Sequence, residues 1–275
     1  MMSMILQKNK TQNGIAFHKT GKGDPIILIH GLGLRAESWI KQINDLKKHF
    51  TVYAIDLPGH GKSNLLKFKT ITLKSYCEAI VDFIKTKKIY KPIIIGHSLG
   101  ALITIEIAGT HTRLLKSGVA VTAIFNRSKE ASQKVRLRAK EINENPNDNI
   151  VIHEPIQRWF GQSKSQNILK YSKTIQGLLR LNKKIFNLKG YASAYSVFAN
   201  IKGNSKQVIK NIKVPMLYIT GEKDFNSTPE MSKKLAKINK NKYIVIKNAR
   251  HILPLTHSKQ FNFHLNQFIK GLDSN

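Results

Sequence analysis

The chain has 275 residues, with 46 Lys and Arg against 16 Asp and Glu, a formal net charge of +30 and a hydrophobic fraction of 41%. That size fits one large α/β domain or a domain carrying an insertion, and the apolar content excludes a disordered chain. The single cysteine, Cys77, excludes an internal disulfide. No segment reaches transmembrane length and residues 1–10 hold no signal-peptide core, so the expected location is cytoplasmic.

In chain order, residues 13–18 and 21–24 read as an edge strand and a turn. Pro25–His30 is a continuous apolar run of the kind buried on both faces of a sheet, and it ends in His30-Gly31-Leu32-Gly33. Residues 36–49 carry Trp39, Ile40, Ile43 and Leu46 at helical spacing. A strand over 50–56 precedes the turn-rich loop Leu57-Pro58-Gly59-His60-Gly61-Lys62-Ser63, and residues 73–85 read as an amphipathic helix. Pro92-Ile93-Ile94-Ile95 then runs into Gly96-His97-Ser98-Leu99-Gly100, with helix-competent sequence to about Gly109 and a strand over 118–124. After residue 210 the alternation resumes: strand 212–220, helix 229–238, strand 243–246 and helix 258–272. Strands alternating with helices predict a mostly parallel sheet with helices on both faces.

Residues 126–210 break this alternation. Helical patterns near 128–142, 168–181 and 191–198 surround a loop at 145–149, and no buried strand is evident. The organisation expected is an α/β core formed by 1–125 and 211–275, interrupted by a helical cap insertion at 126–210.

The stretch around Ser98 has the strand, sharp turn and helix of a nucleophile elbow. Gly96 and Gly100 leave room for the strand and helix to pass beside a serine held in a strained turn. A serine hydroxyl needs a base to take its proton, and the base needs an acid to fix its tautomer. His251, after a strand and before the last helix, is the candidate base, with His257 as a nearby rival. Asp224, after another strand, is the candidate acid, and Glu222 competes for its role. Attack on a carbonyl creates an oxyanion that needs pre-aimed donors. The Leu99 N–H at a helix start is one, and the glycine-rich loop offers a second from Leu32, or alternatively from Gly33. His30 reads as a structural hydrogen bonder.

Taken together, His30-Gly31 with Trp39 downstream, Asp56 through Ser63, Gly96 through Gly100, Gly221-Glu222-Lys223-Asp224 and Arg250-His251 resemble the α/β-hydrolase fold in order and spacing. That group contains esterases, lactonases, epoxide hydrolases and C–C bond hydrolases. The resemblance implies that Asp56 and Ser63 belong to a structural loop. A serine at the elbow argues against the carboxylate-nucleophile dehalogenases and epoxide hydrolases, and the length and insertion resemble enol-lactone hydrolases and carrier-protein methyl esterases.

The implied activity is hydrolysis of a carboxylic ester or lactone through an acyl-enzyme on Ser98, with no organic cofactor and no metal. C–C bond cleavage or a non-hydrolytic lyase reaction on the same triad is the alternative. In the cap, Trp159, Tyr191 and Tyr195, with Phe160 and Phe198, either line an acyl pocket or pack the helical layer. Arg127 and Arg158 are candidates to meet a substrate carboxylate. The lysines are scattered over nearly every helix without interleaved aromatics. That argues against a specific nucleic-acid site, while an acidic carrier protein is a partner such a surface would suit. A non-catalytic protein that binds polyanions or such a carrier through that surface ranks lowest.

Overall fold

The computed structural model describes residues 5–67, 70–162, 165–185 and 188–272. Its frame is an eight-stranded sheet: β1 (Asn9–Lys10), β2 (Ala16–Thr20), β3 (Pro25–Ile29), β4 (Thr51–Ile55), β5 (Ile93–His97), β6 (Ser117–Val121), β7 (Met216–Gly221) and β8 (Lys242–Ile246), in the order β1-β2-β4-β3-β5-β6-β7-β8. From β4 to β8 every neighbouring pair is parallel, and only the β1–β2 and β2–β4 pairs at one edge are antiparallel. The β-branched runs of β3 and β5 explain the centre, because strands buried on both faces need apolar residues at every position. Ile27 and Ile29 pack on one face while Ile26 and Leu28 pack on the other, as the two-residue period of a strand requires.

The chain leaves β3 for β4 on one side and crosses to β5 on the other. The loops after β3 and β5 therefore diverge, opening a crevice at the carboxyl ends of the strands. Ile29 lies beside Gly96, so the 30–33 loop and Ser98 begin at the same level.

Helices cover both faces: α1 (Ile40–Leu46), α2 (Leu73–Thr86), α3 (Leu99–Thr110), and later α9 (Pro229–Asn239), α10 (Leu253–Thr256) and α11 (Ser258–Lys270). The helix expected over 36–49 is divided. Residues Ala36–Trp39 form a 3-10 turn, tied down by Ala36 N–H donating to Asp56 Oδ1 at 2.9 Å, and α1 follows. Asp56 also accepts from Lys62 N–H and from Lys8 Nζ, which reaches Glu37 as well at 2.7 Å. Lys8, Glu37 and Asp56 are shut away from water in this network, so Asp56 fastens the N-terminal segment to the loop after β4.

The insertion consists of α4 (Lys129–Glu144), a π-helical turn (Asn149–His153), α5 (Glu154–Phe160), α6 (Gln166–Ile185) and α7 (Leu188–Asn200). Helical structure over 149–160 has no counterpart in the sequence reading, because Pro146, Pro155 and Gly161 interrupt the periodicity there. A bridge between Phe125 and Gly203, with Arg127 N–H donating to Lys202 O, closes the neck of the insertion. The next helix, α8 (Lys206–Asn211), packs on α3 and α9. Among the described residues no helix is long and apolar enough to cross a membrane.

Candidate active site

Ser98 sits at φ 54°, ψ −110°, a backbone conformation that costs a residue with a side chain on the order of 1–3 kcal/mol. The turn is enforced from both sides. A Cβ on Gly96 would lie 2.0 Å from Gly100 O, and one on Gly100 would lie 2.3 Å from Ile29 O. Ser98 N–H donates to Val121 O at 2.8 Å, pinning the turn to β6. Leu99 is the first residue of α3, so its N–H points out of the helix N-terminus, where the dipole favours negative charge.

His251 lies between β8 and α10, and its Nδ1 is 2.7 Å from Asp224 Oδ2. Both side chains are buried. Asp224 is held by its other oxygen, which accepts from Asn226 N–H at 2.9 Å and Ser227 N–H at 3.1 Å. The carboxylate accepts, so Nδ1 carries the proton and Nε2 is left as the basic nitrogen. Glu222 turns away and accepts from Asn248 N–H at the exposed surface. His257 pairs with Thr256 and lines a different hollow. The structure thus places Asp224, not Glu222, on His251.

His97, in the elbow itself, carries a signal the sequence reading did not use. Its Nε2 donates to His251 O at 2.9 Å, and its ring is 5.0 Å from the His251 ring. Burial pushes its pKa down to about 3, so it stays neutral and fixes the loop that carries His251.

The loop after β3 treats the Leu32 and Gly33 N–H groups differently. Gly33 N–H donates to His60 Nε2 at 3.0 Å, while His60 Nδ1 donates to Pro58 O. Burial lowers the His60 pKa and keeps it neutral enough to accept. Gly33 is therefore committed, and Leu32 N–H has no partner among the described residues. His30 is structural: Leu57 N–H donates to its Nε2 at 2.9 Å and its Nδ1 donates to Gly31 O. Asn182 of α6, also unflagged by sequence, donates to Gly33 O at 2.7 Å and to Leu34 O at 3.0 Å, and accepts from Gly61 N–H at 3.1 Å.

Ser98, His251 and Leu32 open onto one cavity of about 340 Å³, roofed by the insertion. Trp159, Tyr191 and Tyr195 all line it, with Phe198, whereas Phe160 faces the neighbouring hollow. Trp159 stacks on His251 with ring centres 6.0 Å apart, and Tyr191 meets Tyr195 edge-on at 5.6 Å. Arg127 and Arg158 line the same cavity, joined by Arg138. A larger hollow of about 700 Å³ between α7 and the start of α2 holds none of the candidate residues. Among the described residues no group of three His, Cys, Asp or Glu is placed to hold a metal ion.

A strained serine after a parallel strand, a buried Asp–His pair and a free N–H on the preceding crossover loop agree with the comparisons. The model of the alpha/beta hydrolase fold family matches residues 24–258. The chain belongs to that family. This alpha/beta hydrolase is an enzyme of the hydrolase class. It is 33% identical over 263 residues to the (E)-2-((N-methylformamido)methylene)succinate hydrolase of Acinetobacter baylyi, covering 95% of this chain and 96% of that protein. It is 30% identical to the pimeloyl-[acyl-carrier protein] methyl ester esterase of Wigglesworthia glossinidia brevipalpis, covering 89% and 93%. Among solved structures, the enol-lactonase of Burkholderia xenovorans LB400 superposes with a TM-score of 0.83 at 22% identity, over 96% of this chain and 100% of that one, which establishes likeness of fold.

Proposed function

We propose that this alpha/beta hydrolase cleaves a small carboxylic ester or lactone through an acyl-enzyme on Ser98. The observation that carries the reading is the buried Asp224–His251 pair at 2.7 Å, facing the same cavity as a serine held at φ 54°. Ser98 Oγ attacks the acyl carbon as His251 Nε2 takes its proton. The Leu32 and Leu99 N–H groups hold the oxyanion, each worth about 3–4 kcal/mol in the transition state. Collapse breaks the bond to the leaving oxygen, which receives the proton from His251. Water then gives its proton to His251 and attacks the acyl-enzyme, releasing the acid and returning Ser98. The helical layer of the insertion acts as the cap that excludes bulk water, and Trp159, Tyr191 and Tyr195 form the apolar wall of the acyl site.

Fluorophosphonate labelling of Ser98 and turnover of p-nitrophenyl esters test this reading. Ser98→Ala is expected to stay folded, lose labelling and lose turnover; full esterase activity in that variant overturns it. The amide-type group in the name of the Acinetobacter relative favours a second reading, C–N cleavage on the same triad. Formamide substrates assayed beside esters, with vinylogous diketones for C–C cleavage, separate these reactions. The net charge of +30 and the carrier-protein ester in the other relative's name also support an acidic carrier protein as partner. Turnover of carrier-bound acyl esters exceeding that of free esters, and falling with salt, is the expected sign.

A further inference from the structure

The cavity above Ser98 is more basic than a neutral ester requires. Three guanidinium groups line it, Arg127, Arg138 and Arg158, and no carboxylate does. Among the described residues the acid that answers them is Glu154, whose Oε2 accepts from Arg138 Nε at 3.0 Å and from Arg158 Nη1 at 3.2 Å. One carboxylate is thus shared by two cations. Arg127 has none. It is only 6% exposed, its Nη1 donates to Phe198 O at 3.2 Å, and its guanidinium lies 4.3 Å above the Phe198 ring. Its Nη2 is buried with no hydrogen-bond partner among the described residues. Burial pushes its pKa down to about 10, which leaves it charged at neutral pH.

Arg138 and Arg158 share one carboxylate and Arg127 has a buried Nη2 with no partner among the described residues, an arrangement that is costly unless something anionic completes the site. Protein supplies nothing more from the cavity wall, so the complement is the ligand. Arginine offers paired donors in the planar geometry that a carboxylate accepts. Two positions are left under-compensated, Arg127 and the Arg138–Arg158 pair, and the cavity of about 340 Å³ holds a molecule of few carbon atoms. We propose that this site selects substrates whose acyl part bears two carboxylates, one held by Arg127 Nη2 and the other by Arg158 beside Arg138.

The kinetic half of this inference rests on the serine hydrolase reading; the binding half does not. Calorimetry on the Ser98→Ala protein in 0.15 M salt compares glutarate, butyrate and glutaramide. Glutarate is expected to bind at least 10-fold more tightly than butyrate, with no measurable binding of glutaramide. Arg127→Gln and Arg158→Gln should each weaken glutarate about 100-fold. Lys22→Gln, an exposed lysine changed as a control for the general charge, should not. If Arg127→Gln does not fold, Arg127→Lys, which keeps charge but loses the fork, is expected to weaken glutarate about 10-fold.

In the kinetic arm, p-nitrophenyl esters of butyric, succinic and tricarballylic acids place zero, one and two carboxylates on the acyl group. The expected kcat/KM rises along that series, and Arg127→Gln lowers the tricarballylate-to-butyrate ratio about 100-fold. Equal binding of glutarate and glutaramide, or a ratio that Arg127→Gln leaves unchanged, overturns the proposal. Glutarate binding without turnover of any ester and without Ser98 labelling would sink the hydrolase reading while leaving this one standing.

Discussion

Asn182→Ala is the change that most directly tests how the cap supports the chemistry. The side chain makes three hydrogen bonds, to Gly33 O, Leu34 O and Gly61 N–H, at 2.7, 3.0 and 3.1 Å. At about 0.5–1.5 kcal/mol each, their loss removes about 2–4 kcal/mol. In a chain of this size that lowers Tm by roughly 5–10 °C. The same bonds hold the loop that presents Leu32 N–H, one residue before Gly33. Misplacing that donor by a few tenths of an ångström forfeits part of its contribution, so kcat is expected to fall about 10–100-fold with KM changing little, because the interaction strengthens only as the oxyanion forms. The assay is kcat and KM on a p-nitrophenyl ester well below Tm, beside Asn239→Ala. That control removes a bond of 2.7 Å to the Tyr218 hydroxyl, remote from the cavity. If Asn182→Ala loses stability but keeps kcat within about twofold of wild type, the clamp is structural and the reasoning fails.

Three further outcomes follow from the same geometry. Asp224→Asn should lower kcat about 10⁴-fold by removing the acceptor that fixes the His251 tautomer, while Glu222→Gln, an exposed side chain bonded only to Asn248 N–H, should stay within about twofold; steady-state kinetics of the pair decides which acid serves His251. His97 has a folded pKa of about 3 against about 6.5 unfolded, so the unfolded chain binds the extra proton between those values. Its contribution is fully present above about pH 6.5 and is lost at up to about 1.4 kcal/mol per unit as pH falls toward 3; thermal melts across that window should show a shallower slope in His97→Gln. Lys8→Met leaves Glu37 and Asp56 buried without their shared cation, which should cost about 3–5 kcal/mol and be read as a lower denaturation midpoint.

The core was legible because each of its devices has a local signature. An apolar run ending in Gly-x-Ser-x-Gly can satisfy its backbone in few ways, and Gly96, Ser98 and Gly100 meet the steric demands of that turn within five residues. Asp224 and His251 were readable because each follows a strand, and strand ends converge on one edge of a parallel sheet. Asp224 was the candidate acid with Glu222 as its competitor; both follow the same strand, and the direction of the 221–227 turn is what sends Asp224 to His251 and Glu222 to the surface. Leu32 was the preferred donor with Gly33 as the alternative, and what distinguishes their N–H groups is His60, 27 residues away, accepting the Gly33 N–H. The helical turns over 149–160 have no clear sequence signature because Pro155 within them, and Pro146 and Gly161 at their flanks, interrupt the helical period.

The cap shows why substrate recognition is harder to read than reaction chemistry. Arg127, Arg138 and Arg158 are three of many basic residues in a chain of net charge +30, and nothing in their spacing marks them. Their meaning comes from what surrounds them: two share Glu154, and the third has a buried nitrogen without a partner. Core and cap then answer separable questions. In the proposed mechanism the elbow, the Asp224–His251 pair and the Leu32 and Leu99 N–H groups act at the reacting carbonyl, so changes there should lower kcat for every ester alike. The arginines are proposed to act on the part of the acyl group that does not react, so changes there should alter the ratio between substrates. Asn182 joins the two by hydrogen bonds, rooted in α6 and bonded to the loop that carries Leu32. Its variant should therefore lower turnover of neutral and anionic esters by the same factor.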